Sequence, residues 1–78
     1  MATAKHKRVG FVICVRNDGF EASLERRKIY EVLADRDAAD HGQIRVFDES
    51  GEDYLYSERY FVSVELPKRT ERAVIEAA

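Results

Sequence analysis

A single cysteine, Cys14, has no partner for an intrachain disulfide, so a disulfide-stapled scaffold is excluded and a reducing cytosol is the expected setting. The longest apolar run, Phe11 to Val15, falls far short of the ~20 residues needed to cross a bilayer. The opening Met1 to Arg8 lacks the apolar stretch of a secretory signal. A cytoplasmic protein with no membrane partner is therefore expected. The four glycines are scattered and none opens a Gly-Lys-Ser/Thr string, which argues against a phosphate-cradling loop and nucleotide hydrolysis.

Catalytic material is equally sparse. The two histidines fall in a basic tail (His6) and a loop (His41), neither of which holds a side chain in the fixed position that acid/base work needs. Cys14 sits among apolar neighbours, where a thiol packs as a small hydrophobe and nothing lowers its pKa. Asp37, Asp40 and His41 form one polar cluster, and Asp48, Glu49, Glu52 and Asp53 crowd one turn, but neither has the spacing of a metal loop. These carboxylates read as solvated loop residues. The sequence predicts no catalytic residue, no metal site and no cofactor, and so a protein that is not an enzyme.

What is present suffices for one small core. With 45% hydrophobic and 36% charged residues in 78 positions, the chain is globular rather than disordered and has no room for a second domain. A chain of this size buries only about 60% of the surface its unfolded form exposes, which makes self-association a natural route to extra stability. The net charge of −2 is unevenly spread: residues 1–28 carry +4, residues 29–67 carry −7 and residues 68–78 carry +1. That pattern reads as a basic tail and acidic turns, or as a two-signed surface able to dock a partner or another copy.

Val9 to Arg16 is nearly continuous in apolar residues and rich in β-branched types, as expected of a strand covered on both faces. Asn17-Asp18-Gly19 then predicts a turn. From Glu21 to Ala34 the signals conflict. Ser23 could cap a helix carrying Ile29, Val32 and Leu33, yet three adjacent cations and the strand-favouring Ile29-Tyr30-Glu31-Val32-Leu33 favour an irregular excursion followed by a strand from Lys28 to Leu33. Residues 35–42 read as a loop with one helical turn at Asp37 to Asp40, and Gln43 to Phe47 as the next strand. Glu49-Ser50-Gly51-Glu52 joins it to Asp53-Tyr54-Leu55-Tyr56 in a hairpin. After a break at residues 57–60, Val62, Val64 and Leu66 alternate with Ser63 and Glu65, predicting a last strand whose valines face the core, ended by Pro67. Thr70 is the expected cap of a short helix from Glu71 to Ala77.

Five short strands, a long excursion after the first and a tight hairpin between the third and fourth predict an all-β (mainly β) fold. The expected architecture is a small five-stranded SH3-like barrel, closed or half-open, with a possible short C-terminal helix. An OB-type barrel has the same order of segments, but the brief strands favour the former. The predicted division is a basic flexible tail over 1–8, the barrel over 9–66 and a tail or short helix over 67–78. The strings Cys14-Val15-Arg16-Asn17-Asp18-Gly19, Ser23-Leu24, Lys28-Ile29-Tyr30-Glu31-Val32-Leu33 and Asp48-Glu49-Ser50-Gly51-Glu52-Asp53-Tyr54-Leu55-Tyr56, with Phe61, resemble small uncharacterised SH3-like barrel proteins of bacteria and their phages. The resemblance covers about residues 9–66 and implies a fold without an agreed activity. Many such sequences carry glycine just before the lysine, where this chain has Arg27.

Function therefore rests on surface patches. Tyr30, Tyr54, Tyr56, Tyr60 and Phe61 are more aromatics than so small a barrel readily hides. Either they cap its open ends as core, or Tyr54, Tyr56 and Tyr60 form a groove for a protein segment, a second copy or a stacked base. The first expectation is a non-catalytic binding module using these three tyrosines for a protein partner or self-association. The alternative is nucleic-acid binding through Arg26, Arg27 and Lys28, helped by Lys5, Lys7 and Arg8, against which the acidic middle of the chain weighs.

Overall fold

The structure, a computed structural model, describes residues 7–77. His6, Lys5 and most of the predicted tail lie outside the described residues. In chain order the elements are β1 (Arg8–Cys14), β2 (Ile29–Leu33), α1 (Arg36–Asp40), β3 (Gln43–Phe47), β4 (Asp53–Ser57), a 3-10 helix (Glu58–Tyr60), β5 (Phe61–Val64) and α2 (Lys68–Ala77). Residues 17–28 are an irregular excursion, not a helix.

All pairings are antiparallel, and the five strands lie in one sheet in the order β4-β3-β2-β1-β5. Neighbouring strands are about 4.8 Å apart, so in a flat sheet β4 and β5 would be about 19 Å apart. Only the three residues of the 3-10 helix join them, a span of about 6 Å. The sheet must therefore be rolled, and the Tyr56 and Phe61 rings meet edge-on across the gap with centroids 5.9 Å apart. The hydrogen-bonded ladder stays open between β4 and β5, so mainly-β architecture is present without a closed barrel.

Turn chemistry explains where the strands stop. Phe20 N–H bonds the Asn17 carbonyl at 2.8 Å, with Gly19 at φ 86° in the position of that turn which demands a left-handed backbone. In the β3–β4 hairpin, Gly51 N–H bonds the Asp48 carbonyl at 3.1 Å and Gly51 likewise has φ 86°, closing the loop. Asp35 caps α1 by accepting from Ala38 N–H at 3.1 Å.

Strand register defines two faces. The inner one carries Val12 and Cys14, Tyr30 and Val32, Ile44 and Val46, Tyr56 and Phe61, and Leu24 from the excursion plugs it, fully buried. Full burial of such side chains contributes roughly 1.5–3 kcal/mol each. On β5 the expected parity is reversed: Phe61 and Ser63 lie opposite Cys14 and Val12 on the inner face, while Val62 is 55% exposed. The bulky Phe61 ring takes the inward position beside Tyr56, and alternation then turns the valines outward.

The helix α2 also begins earlier than expected. The Pro67 carbonyl accepts from Glu71 N–H at 2.9 Å, so Thr70 lies inside the helix and does not cap it. A proline beside the first turn suits a helix start because its φ is already near the helical value. Among the described residues no helix is long and apolar enough to cross a membrane.

Candidate functional site

The excursion between β1 and β2 carries no regular structure, yet side chains tie it down at several points. Asn17 Nδ2 donates to the Leu24 carbonyl at 3.0 Å, and Glu49 N–H donates to the Ser23 carbonyl at 3.1 Å. The Tyr56 phenol donates to Asp48 Oδ2 at 2.5 Å and is hydrogen-bonded to Ser23 Oγ at 2.9 Å. The Tyr30 phenol donates to Glu49 Oε2 at 2.7 Å and accepts from Glu25 N–H at 2.8 Å. Lys28 pairs with Glu49 and lies 5.7 Å from the Tyr30 ring centroid. Two tyrosines thus pin the excursion to the β3–β4 turn.

The electrostatics follow from this burial. Desolvation, then the neighbouring Asp48 carboxylate, pushes the Tyr56 phenol up to about 12. Burial first and Glu49 second raise Tyr30 as well. The Lys28 ammonium, then the Tyr30 hydroxyl, holds the Glu49 carboxyl below its ordinary value. Burial pushes the Cys14 thiol up, which favours its protonated form. Arg45, bound to Asp35 at 2.8 Å and Asp53 at 2.7 Å, is raised by its bond to Asp35.

On this support stands an aromatic corner. Phe20, at the start of the excursion, meets Tyr56 edge-on at 5.1 Å and Tyr60 at 5.7 Å between centroids, yet remains 42% exposed. Tyr60 is half-buried; its hydroxyl donates to the Asp18 carbonyl at 3.1 Å, and Arg16 lies 5.9 Å from its ring centroid. Arg16 is itself 3.3 Å from Asp18.

Of the three tyrosines read from the sequence, Tyr54 is 50% exposed on β4, Tyr60 is half-buried in the 3-10 helix, and Tyr56 is 4% exposed, a core residue with its ring against Phe20 and Phe61. Tyr56 and Tyr60 are brought together through Phe20, which sequence reasoning missed. Its position beside the Asn17-Asp18-Gly19 turn was the available signal, since connecting segments run over the surface. Arg26, Arg27 and Lys28 are all exposed at the end of the excursion, with Arg27 at φ 72° and Lys28 engaged by Glu49.

The acidic turn is not uniformly solvated. Asp48 is buried, accepting from Tyr56 and from Ser50 N–H and Oγ at 2.8 and 2.6 Å. Its burial is made possible by these donors, none of which a linear reading reveals. His41 remains exposed beside the Asp37 carbonyl, and among the described residues no three His, Cys, Asp or Glu side chains converge as metal ligands. No known protein family, curated protein or solved structure matches this chain.

Proposed function

We propose that this chain is a non-catalytic recognition module that binds an extended segment of another protein on the surface formed by Phe20 and Tyr60 over Tyr56, with Tyr54 at its margin. The observation that carries this reading is Phe20, an aromatic ring left 42% exposed while two other rings hold it edge-on. The loop that presents it is pinned by Ser23, Asp48 and Glu49, so little ordering entropy remains to be lost on binding. Rigid aromatics of this kind supply large contact area at interface cores.

The strand order, and a 3-10 link between the two edge strands, support describing the rolled sheet as an SH3-like small barrel, the group the sequence resembles. A reduced, buried Cys14 suits a cytoplasmic protein. Nucleic-acid binding through Arg26, Arg27 and Lys28 is the weaker reading, because Lys28 is committed to Glu49 and the Tyr30 ring.

Selection from a displayed random-peptide library tests the proposal. Enriched peptides are expected to bind the wild-type chain and to lose at least about tenfold in affinity to Phe20→Ala or Tyr60→Ala proteins with unchanged circular dichroism. Peptides that bind both variants as well as wild type overturn it. So does retention of single-stranded RNA at low salt that depends on Arg26 and Arg27 but not on Phe20.

A further inference from the structure

The inner face of the rolled sheet is filled unevenly. Where the excursion folds over it, Leu24 plugs it and shares one core with Cys14, Tyr30, Val46 and Tyr56. Toward the other end, the inward positions of β1 and β5 are Gly10, paired with Val32, and Ser63, paired with Val12. Neither residue is large enough to cover the strands beside it, and a Cβ on Gly10 would meet no atom within 4 Å. A cavity of about 450 Å3 is left there, walled by Val12, Val32, Ile44 and Phe61.

The polar side chains that line this cavity are Glu58 and Ser63, both exposed and so at its mouth. Glu58 is fixed from behind, since its N–H donates to the Gly42 carbonyl at 3.0 Å and Ser57 caps the 3-10 helix that it opens. Glu31, Glu49, Asp35 and Asp53 each face a cation. The Glu58 carboxylate does not: among the described residues it has no hydrogen bond or ion pair, and no Lys, Arg or His lines the cavity. A concave apolar surface with one unneutralised charge at its mouth selects a ligand by both features.

We infer that this cavity binds a small amphiphilic amine, with its alkyl chain against Val12, Val32, Ile44 and Phe61 and its ammonium at the Glu58 carboxylate. The chain supplies the apolar contact that the small residues at positions 10 and 63 leave unmade. The ammonium stays at the wet mouth, where it keeps most of its hydration while its N–H groups have the Glu58 carboxylate and the Ser63 hydroxyl as acceptors. An anionic head group is repelled by Glu58, and a neutral one leaves that charge with water alone. The site is separate from the recognition surface proposed above, since neither Phe20 nor Tyr60 lines it.

Titration of isotope-labelled protein with n-alkylammonium ions from propyl to hexyl, at fixed pH and ionic strength and followed by amide chemical shifts, tests this. Shifts are expected at Gly10, Val32, Ile44 and Ser63, with affinity rising about threefold to fourfold for each added CH2. Hexanol is expected to bind about fivefold more weakly than hexylammonium, and hexanoate more weakly still. Glu58→Gln is expected to bring hexylammonium down to the level of hexanol and to leave hexanol unchanged. Gly10→Val and Ser63→Val each fill the cavity from a different strand, and each is expected to weaken both ligands at least about fivefold in protein with unchanged circular dichroism. The absence of shifts up to about 10 mM hexylammonium overturns the inference. So does hexanoate binding as tightly as hexylammonium, a Glu58→Gln protein that still prefers the ammonium, or binding that survives in both filled variants.

Discussion

Tyr56 and Asp48, eight residues apart at the two sides of one hairpin, share a 2.5 Å hydrogen bond in which the buried carboxylate accepts from the phenol. Ser23, brought in from the excursion between β1 and β2, bonds the same phenol at 2.9 Å. One hydroxyl thus connects a core strand, a buried charge and the loop that presents Phe20.

Tyr56→Phe removes that hydroxyl and leaves Asp48 with Ser50 as its remaining donor. Leaving a buried group short of a partner costs about 1–3 kcal/mol, and the charged acceptor places this loss toward the upper part of the range. Urea unfolding followed by circular dichroism is expected to show a lower midpoint with an unchanged slope. A midpoint equal to wild type would show that the bond contributes nothing net.

Stability is expected to fall at both ends of the pH scale, with different groups responsible. Glu49 has a lowered folded-state pKa, so the unfolded chain takes up its proton first as pH falls; its contribution is present above the ordinary glutamate range and is lost as pH drops through the folded value. Tyr56 is raised to about 12, so the folded chain holds its proton while the unfolded chain releases it, and stability declines as pH rises from about 10 toward 12. Thermal melts across pH check both limbs. Absorbance at 295 nm checks the second: Tyr56 should ionise together with the alkaline loss of structure, and ionisation well before it contradicts the assignment.

Arg27 is the one described non-glycine residue with a positive φ, 72°, and it is exposed. An L side chain is strained in that region, whereas glycine is not. Arg27→Gly is expected to stabilise the fold by about 0.5–1 kcal/mol, less than the full strain because glycine also frees the unfolded chain. A rise in melting temperature checks this, and a fall would mean that the arginine side chain makes a stabilising contact of its own.

Gly10 lies within β1, and a Cβ there meets no atom within 4 Å. It opens onto a cavity of about 450 Å3 between Val12, Val32, Ile44 and Phe61 at one end of the rolled sheet. Gly10→Ala is expected to gain about 0.5–1 kcal/mol by restricting the unfolded chain. Guanidinium unfolding is the measurement, and destabilisation would indicate that the bulge between Arg8 and Gly10 needs glycine's freedom.

The strands were legible because their causes are local. Val9 to Cys14 and Ile29 to Leu33 are dense in β-branched and aromatic residues, and Asn17-Asp18-Gly19 and Glu49-Ser50-Gly51 carry the residues that turns require, so chain neighbours alone determine extension and reversal. The helical turn at Arg36–Asp40 was visible for the same reason, in a short polar run that Asp35 caps.

Tertiary structure decided what no neighbour along the chain could. Whether Phe61 or Val62 faces inward depends on Tyr56 across the roll, whether Asp48 can be buried depends on a phenol eight residues away, and whether Phe20 stands at the surface depends on rings from β4 and the 3-10 helix. Local sequence determines which segments are strands and turns, because backbone sterics and side-chain branching act within a few residues. The direction each face looks, and so every candidate contact with a partner, follows from packing between segments that meet only once the chain has folded.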